Sequence, residues 1–282
     1  MNHRLLTGAG LGFRRELIPA LKDGGHELIN FFEVAPENWV GMGGRSTRDL
    51  RYFTERHAFV CHGLSLSLGG PGALDEVFLR RIKAFMAEHG IGLYTEHLSW
   101  CTDSGHLYEL LPIPLSEDAV RWTAARIRQV QDILGCRIGI ENVSYYVAPP
   151  GAEMSEATFI SAVVSEADCL FHLDVNNIYV NSRNFGFDAL DFLHALPLER
   201  TCYVHVAGHY VEPDGLLIDT HGAAVIDPVW SLLAAAYRRI GGAVPTCLER
   251  DFNIPDLAQL QVEVGQIADL QSQACGAEMQ VA

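Results

Sequence analysis

Eight short runs rich in apolar and β-branched residues alternate along this chain with eight amphipathic segments, and that alternation constrains the fold more than any other feature. The runs lie at 7–12, 27–34, 58–64, 91–98, 137–142, 169–176, 201–207 and 245–250. The helical patterns that follow them lie at 14–23, 47–56, 74–89, 117–134, 155–165, 190–195, 228–240 and 255–270. A strand that hands on to a helix needs a crossover to reach its neighbour. Crossovers are right-handed, and eight such units close a parallel sheet on itself. The expected fold is α/β, a (β/α)8 TIM barrel. Such a barrel takes about 250 residues, so this chain of 282 is expected to form one domain over 1–272. Residues 273–282 carry no periodicity and are expected to be a disordered tail, and 33–44 and 206–227 to be long loops on the catalytic face.

The C-terminal strand ends of a TIM barrel ring a single mouth, and here they carry residues of one chemical kind. The third run ends in His62, the fourth in Glu96 and His97, and the fifth in Glu141 and Asn142. The sixth, inside CLFHLDVNNIYVN at 169–181, brings His172, Asp174, Asn176 and Asn177. The seventh carries His205 and His209 and its loop Asp219 and His221, while the eighth ends in Glu249 and Asp251. Gathered in one mouth, Glu141, Asp174, Asp219 and Glu249 would repel one another, and a buried ionised carboxylate without a partner costs several kcal/mol. Two or three metal ions would remove that cost.

The donors at these ends are nitrogen and oxygen only, a set that suits iron, manganese or zinc. The D-T-H spacing places Asp219 and His221 on one side of an extended loop, within reach of one ion. Glu141 is the natural bridging carboxylate, and Glu96, Asn142 and Asn176 are expected to orient imidazole rings and close vacant hydrogen bonds. His205 and His209 share one HVAGH segment, and either can face the metal. His3, His26, His57, His89, His106 and His194 fall away from the strand ends and are expected to be structural.

A net charge of −15 with only 20 lysines and arginines speaks against nucleic acid or an anionic membrane as partner, because both reward clustered cations. The seven cysteines are scattered and form no C-x-x-C pair, which suits reduced thiols. The N-terminal stretch has no signal-like apolar core, and no window approaches ~18 apolar residues. A cytoplasmic protein is expected.

The stretches GAGLGFR, FFEVAPENW, CHGLSLSLGG, LYTEHLSW, IGIENVSYY, HLDVNNIYVNSRNFGFD, YVHVAGH, DTHG and LERD resemble, through nearly the whole chain, the domain-of-unknown-function family 692. These are the multinuclear non-haem iron-dependent oxidative enzymes, among them the methanobactin-biosynthesis oxidase. The family in turn resembles xylose-isomerase-like barrels, including endonuclease IV with its trinuclear site. Carried over by position, the ligand order of that site lands on His62, His97, Glu141, Asp174, Asn177, His205, Asp219 with His221, and Glu249. Asn177 is the departure, since the DNA-repair relative has histidine there. Asparagine is a weaker, neutral ligand.

The resemblance implies a metal centre of two or three iron ions, Fe2+ and Fe3+, with dioxygen as co-substrate. It implies oxidative modification of cysteine in a ribosomally made precursor peptide, with Glu141, Asp174 and His205 as the catalytic set and a separate partner protein that captures the leader peptide. Glu33, Glu37, Asn38 and the loop at 39–44 are expected to contact the peptide, and Asp251 and His209 to support the centre from outside it. The alternatives are a metal-dependent hydrolase or isomerase on the same barrel, or a metal-binding scaffold protein.

Overall fold

Eight parallel strands close into a barrel in chain order: β1 (Ala9–Gly12), β2 (Phe31–Val34), β3 (Ala58–Gly63), β4 (Tyr94–His97), β5 (Gly139–Glu141), β6 (Leu170–Asp174), β7 (Thr201–Ala207) and β8 (Thr246–Glu249), with β8 pairing back onto β1. The computed structural model describes residues 6–278 apart from Ser104 and Pro150, so His3 and residues 279–282 lie outside the described residues. The helices are α1 (Ile18–Asp23), α2 (Gly44–Thr54), α3 (Glu76–His89), α4 (Glu117–Leu134), α5 (Glu156–Ala167), α6 (Val175–Phe185), α7 (Ala189–Ala195), α8 (Asp227–Ile240) and α9 (Leu257–Glu278). Two short hairpins rise from the loops after β4 and β7, Trp100–Thr102 with His106–Leu111 and Tyr210–Val211 with Leu217–Ile218. No helix among the described residues is long and apolar enough to cross a membrane.

Local chemistry sets the helix limits. Side chains of Asp75, Ser116 and Ser155 accept hydrogen bonds from the first-turn N–H groups of α3, α4 and α5, satisfying donors the helix itself cannot. Two departures from the sequence reading bear on the site and on the chain end. Strand β6 stops at Asp174 and helix α6 follows at once, where the β-branched run through Asn176 reads as strand; the Asp174 carboxylate accepts from Asn177 N at 2.7 Å and starts the helix. At the other end of the chain, α9 continues past Ser272 to Glu278, so the expected tail is helical as far as it is described. The stretch holds no proline, and its Gln, Ala and Glu residues are good helix formers that need no apolar periodicity.

The main apolar core lies between the strands and the surrounding helices. Inside the barrel, alternation along each strand stacks two layers. The lower contains Phe31, Val60, Tyr203 and Cys247, all fully buried. Gly10 completes it by omission, because a Cβ there would stand 2.3 Å from the Phe31 ring. Two residues further along the same strands, at Glu33, His62, His205 and Glu249, the upper layer turns titratable.

Candidate metal centre

Ladder register puts the upper-layer residues side by side. His97 pairs with Glu141 between β4 and β5, and Asp174 with His205 between β6 and β7. His62 Nε2, His97 Nε2 and Glu141 Oε2 form a triangle with edges of 3.2, 3.2 and 3.4 Å. Adjacent ligands on one ion with bonds of about 2.1 Å stand roughly 3 to 3.4 Å apart. On the other side of the same carboxylate, Glu141 Oε1 lies 3.3 Å from His205 Nδ1, which in turn lies 3.0 Å from Glu249 Oε2. Asp174 completes a cluster with His205 and Glu249 whose donor atoms all fall within 4.8 Å of one another. A third group forms where His221 Nε2 comes 2.9 Å from Asp219 Oδ1.

Apart from the hydrogen bond between His62 Nε2 and His97 Nε2, these contacts are close without being aligned as hydrogen bonds. Glu141 Oε2, Asp174 Oδ2, Asn177 Oδ1, His205 Nδ1 and His221 Nε2 are all buried with no hydrogen-bond partner. Orphaned buried polar atoms each cost about 1–3 kcal/mol, and five of them converging in one mouth is the pattern of donors that share cations. The residues present therefore fit a multinuclear transition-metal centre.

The atoms facing away from the mouth are satisfied. His62 Nδ1 meets Thr95 Oγ1 at 2.8 Å and His97 Nδ1 meets Gly63 O at 3.0 Å. Glu96 lies behind His97, where it accepts from Tyr94 Oη and from the His97 N–H. Asn142 exchanges two hydrogen bonds of 2.9 Å with the Asp174 backbone. The Asn177 amide donates to Asn142 O, which leaves its oxygen without a hydrogen bond. Asn176 holds Asp219 Oδ1 at 2.7 Å and accepts from His209 Nδ1, so His205 faces the carboxylates and His209 stands one partner further out. Asp251 accepts from His221 Nδ1 and from Arg14.

Glu33 is buried and takes the Tyr203 hydroxyl at 2.9 Å and His205 Nε2 at 2.7 Å. Its contact is with the centre rather than with a surface a peptide can reach. Glu37 ties the β2 loop to the end of β3 by accepting from Leu64 N and Ser65 Oγ, and Asn38 is exposed. Away from the mouth, His89 bonds Thr54 and His57 packs on Phe32 and Phe53. The sequence reading gave no role to Tyr203, Thr95 or Arg14. Tyr203 and Thr95 sit two residues before His205 and His97, a spacing that marks the same face of a strand.

In the metal-free molecule, protons stand where cations would. Burial lowers the His97 imidazole, but the charges of Glu141 and Glu96 outweigh it and lift it to about 9. His205 and His221 are likewise raised against burial, by Glu249 and Glu33 and by Asp219 and Glu249 respectively. Burial opposes ionisation of Glu249 too, yet His205 and His221 bring it down to about 2. Burial pushes Asp174 well up, with Glu141 and Asp219 adding repulsion. His62 is held neutral by burial beside His97 and His205.

Residues 8–272 match the model of the RiPP precursor modification enzymes MbnB/TglH/ChrH. The chain belongs to this family. It is 60% identical over 268 residues to a UPF0276 protein of Nitrosospira multiformis, covering 95% of this chain and 94% of that one. It is 51% identical to a UPF0276 protein of Pseudomonas aeruginosa over 279 residues, 99% of this chain and 98% of the relative. Among solved structures, endonuclease IV from Thermus thermophilus superposes with a TM-score of 0.59 at 16% identity, covering 93% of this chain and 99% of that one. A D-psicose 3-epimerase does so at 0.58 and 14%, covering 95% and 97%. These likenesses show the fold, an eight-stranded parallel barrel.

Proposed function

We propose that the protein is a multinuclear non-haem iron enzyme that uses dioxygen to modify a cysteine of a ribosomally made precursor peptide, working in the cytoplasm with a partner protein that holds the leader segment. One observation carries the reading: the five buried donor atoms without partners around Glu141, in a member of a peptide-modifying family. Iron bound there would supply open coordination positions that lower the pKa of a cysteine thiol, and a redox couple for dioxygen.

The chain's own part is to hold and orient. His62, His97 and Glu141 form one donor set; His205, Asp174 and Glu249, with the second oxygen of Glu141, form another. Asp219 and His221, with Asn177, are the third. Glu33 fixes His205 with Nδ1 toward the carboxylates, and Asp251 does the same for His221 through its Nδ1.

Protein purified without oxygen and loaded with ferrous iron is expected to hold two to three irons per chain, since so many N/O donors exceed the needs of one octahedral ion. It should then consume dioxygen only with a cysteine-containing precursor peptide, whose mass changes. Stoichiometric zinc together with iron-independent turnover of a sugar or phosphodiester would replace this reading with the isomerase or hydrolase alternative.

A further inference from the structure

His172 lies on β6 two residues before Asp174, and so one layer beneath the mouth. Its ring packs against Tyr203 at 4.8 Å between ring centroids. It is fully buried, and neither ring nitrogen has a hydrogen-bond partner. A leucine or valine would fill such a position without that penalty, which amounts to about 1–3 kcal/mol for each orphaned polar atom.

The ring reaches toward the mouth. Its Nδ1 is 3.9 Å from Glu141 Oε2, the atom already shared by His62 and His97 and likewise without a hydrogen bond. The His172 ring stands edge-on to His205 at 4.1 Å and to His62 at 5.2 Å. Two ligands of one ion at bond lengths of about 2.1 Å can lie anywhere from about 3 Å apart, when adjacent, to about 4.2 Å, when opposite. The separation of 3.9 Å from Glu141 Oε2 falls inside that range.

We propose that His172 is a further nitrogen donor to the ion held by His62, His97 and Glu141, reaching it from beneath. This rests on the metal-centre reading of the mouth. It gives that ion three neutral imidazoles and one carboxylate oxygen, a set that favours a transition ion over magnesium or calcium. From the barrel side it would also take a position that water would otherwise fill.

The test compares wild type, His172→Leu and His172→Gln, loaded with ferrous iron without oxygen, titrated with a chelator while iron is counted, and melted in the metal-free state. His172→Leu is expected to release one iron at roughly ten- to a hundred-fold lower chelator concentration than wild type. Its metal-free form should melt higher than metal-free wild type, because an apolar side chain replaces two unpartnered nitrogens. His172→Gln, which keeps an amide donor, should fall between in retention. Coincident release curves for the three proteins overturn the proposal. So does a loss of iron that merely accompanies a lower metal-free melting point, which would mean that the histidine acts through packing. A wild-type chain that takes up no transition ion overturns the metal-centre reading itself, whereas equal retention by all three removes only His172.

Discussion

Glu141 turns its two oxygens toward different partners, Oε2 to His62 and His97 and Oε1 to His205. Glu141→Gln keeps the shape and removes the charge, so iron counting should show losses at two positions rather than one; full occupancy of either would refute the bridge. Circular dichroism should stay native, since barrel stability resides mainly below the catalytic face. Asn177 offers its amide oxygen and nothing else. Imidazole is the better donor for a divalent transition ion, so Asn177→His should make the ion beside Asp219 and His221 the harder one to remove by chelator, while activity falls as an open position fills. Identical chelation curves would make Asn177 a hydrogen-bonding residue only. The sequence disclosed the strand-end donors because a barrel has one mouth, and a carboxylate at the end of an apolar run needs a partner. It could not disclose the role of Glu33, whose partners His205 and Tyr203 lie 172 and 170 positions away and meet it only across the closed barrel. Nor could it separate His205 from His209, since that choice depends on where β7 ends.

At the scale of elements, strand order and helix positions were legible from periodicity, while α6 was hidden by its own composition. Val-Asn-Asn-Ile-Tyr-Val-Asn has weak helix propensity, and the helix exists because Asp174 caps it and its apolar face is buried. The loop after β3 has a different support. Arg126 of α4 donates to three of its carbonyls, on Ser67, Leu68 and Gly72, and Ser67 Oγ accepts from Cys101 N and Thr102 N. Ser67 itself adopts a left-handed backbone with φ of 51°, a conformation that persists only when its surroundings enforce it. Arg126→Met strands those carbonyls, and thermal melting should show a destabilisation of roughly 3 kcal/mol with iron content unchanged. A variant as stable as wild type would mean that water replaces the guanidinium without cost.

For the whole molecule, the protonated histidines set a pH profile. His97 rises from 6.5 to about 9 on folding, and His205 and His221 are raised too. A histidine raised by folding contributes stability that is complete below its unfolded pKa and lost as pH climbs through its folded one. The metal-free protein should therefore lose melting temperature from about pH 6.5 to 9, whereas the iron-loaded protein, whose ions have displaced those protons, should not. Parallel profiles for the two forms would show that the histidines are not where iron binds. The titratable upper layer has a further consequence. In most barrels that tier is filled by branched apolar chains; here it is filled by buried imidazoles and carboxylates, which ions would hold together on the proposed reading. Opening of the native state would begin there, and an open barrel is what proteases consume. If iron fills the centre as proposed, turnover in an iron-starved cell would remove the idle chain, so that the amount of this protein, and not only its activity, would follow the iron supply.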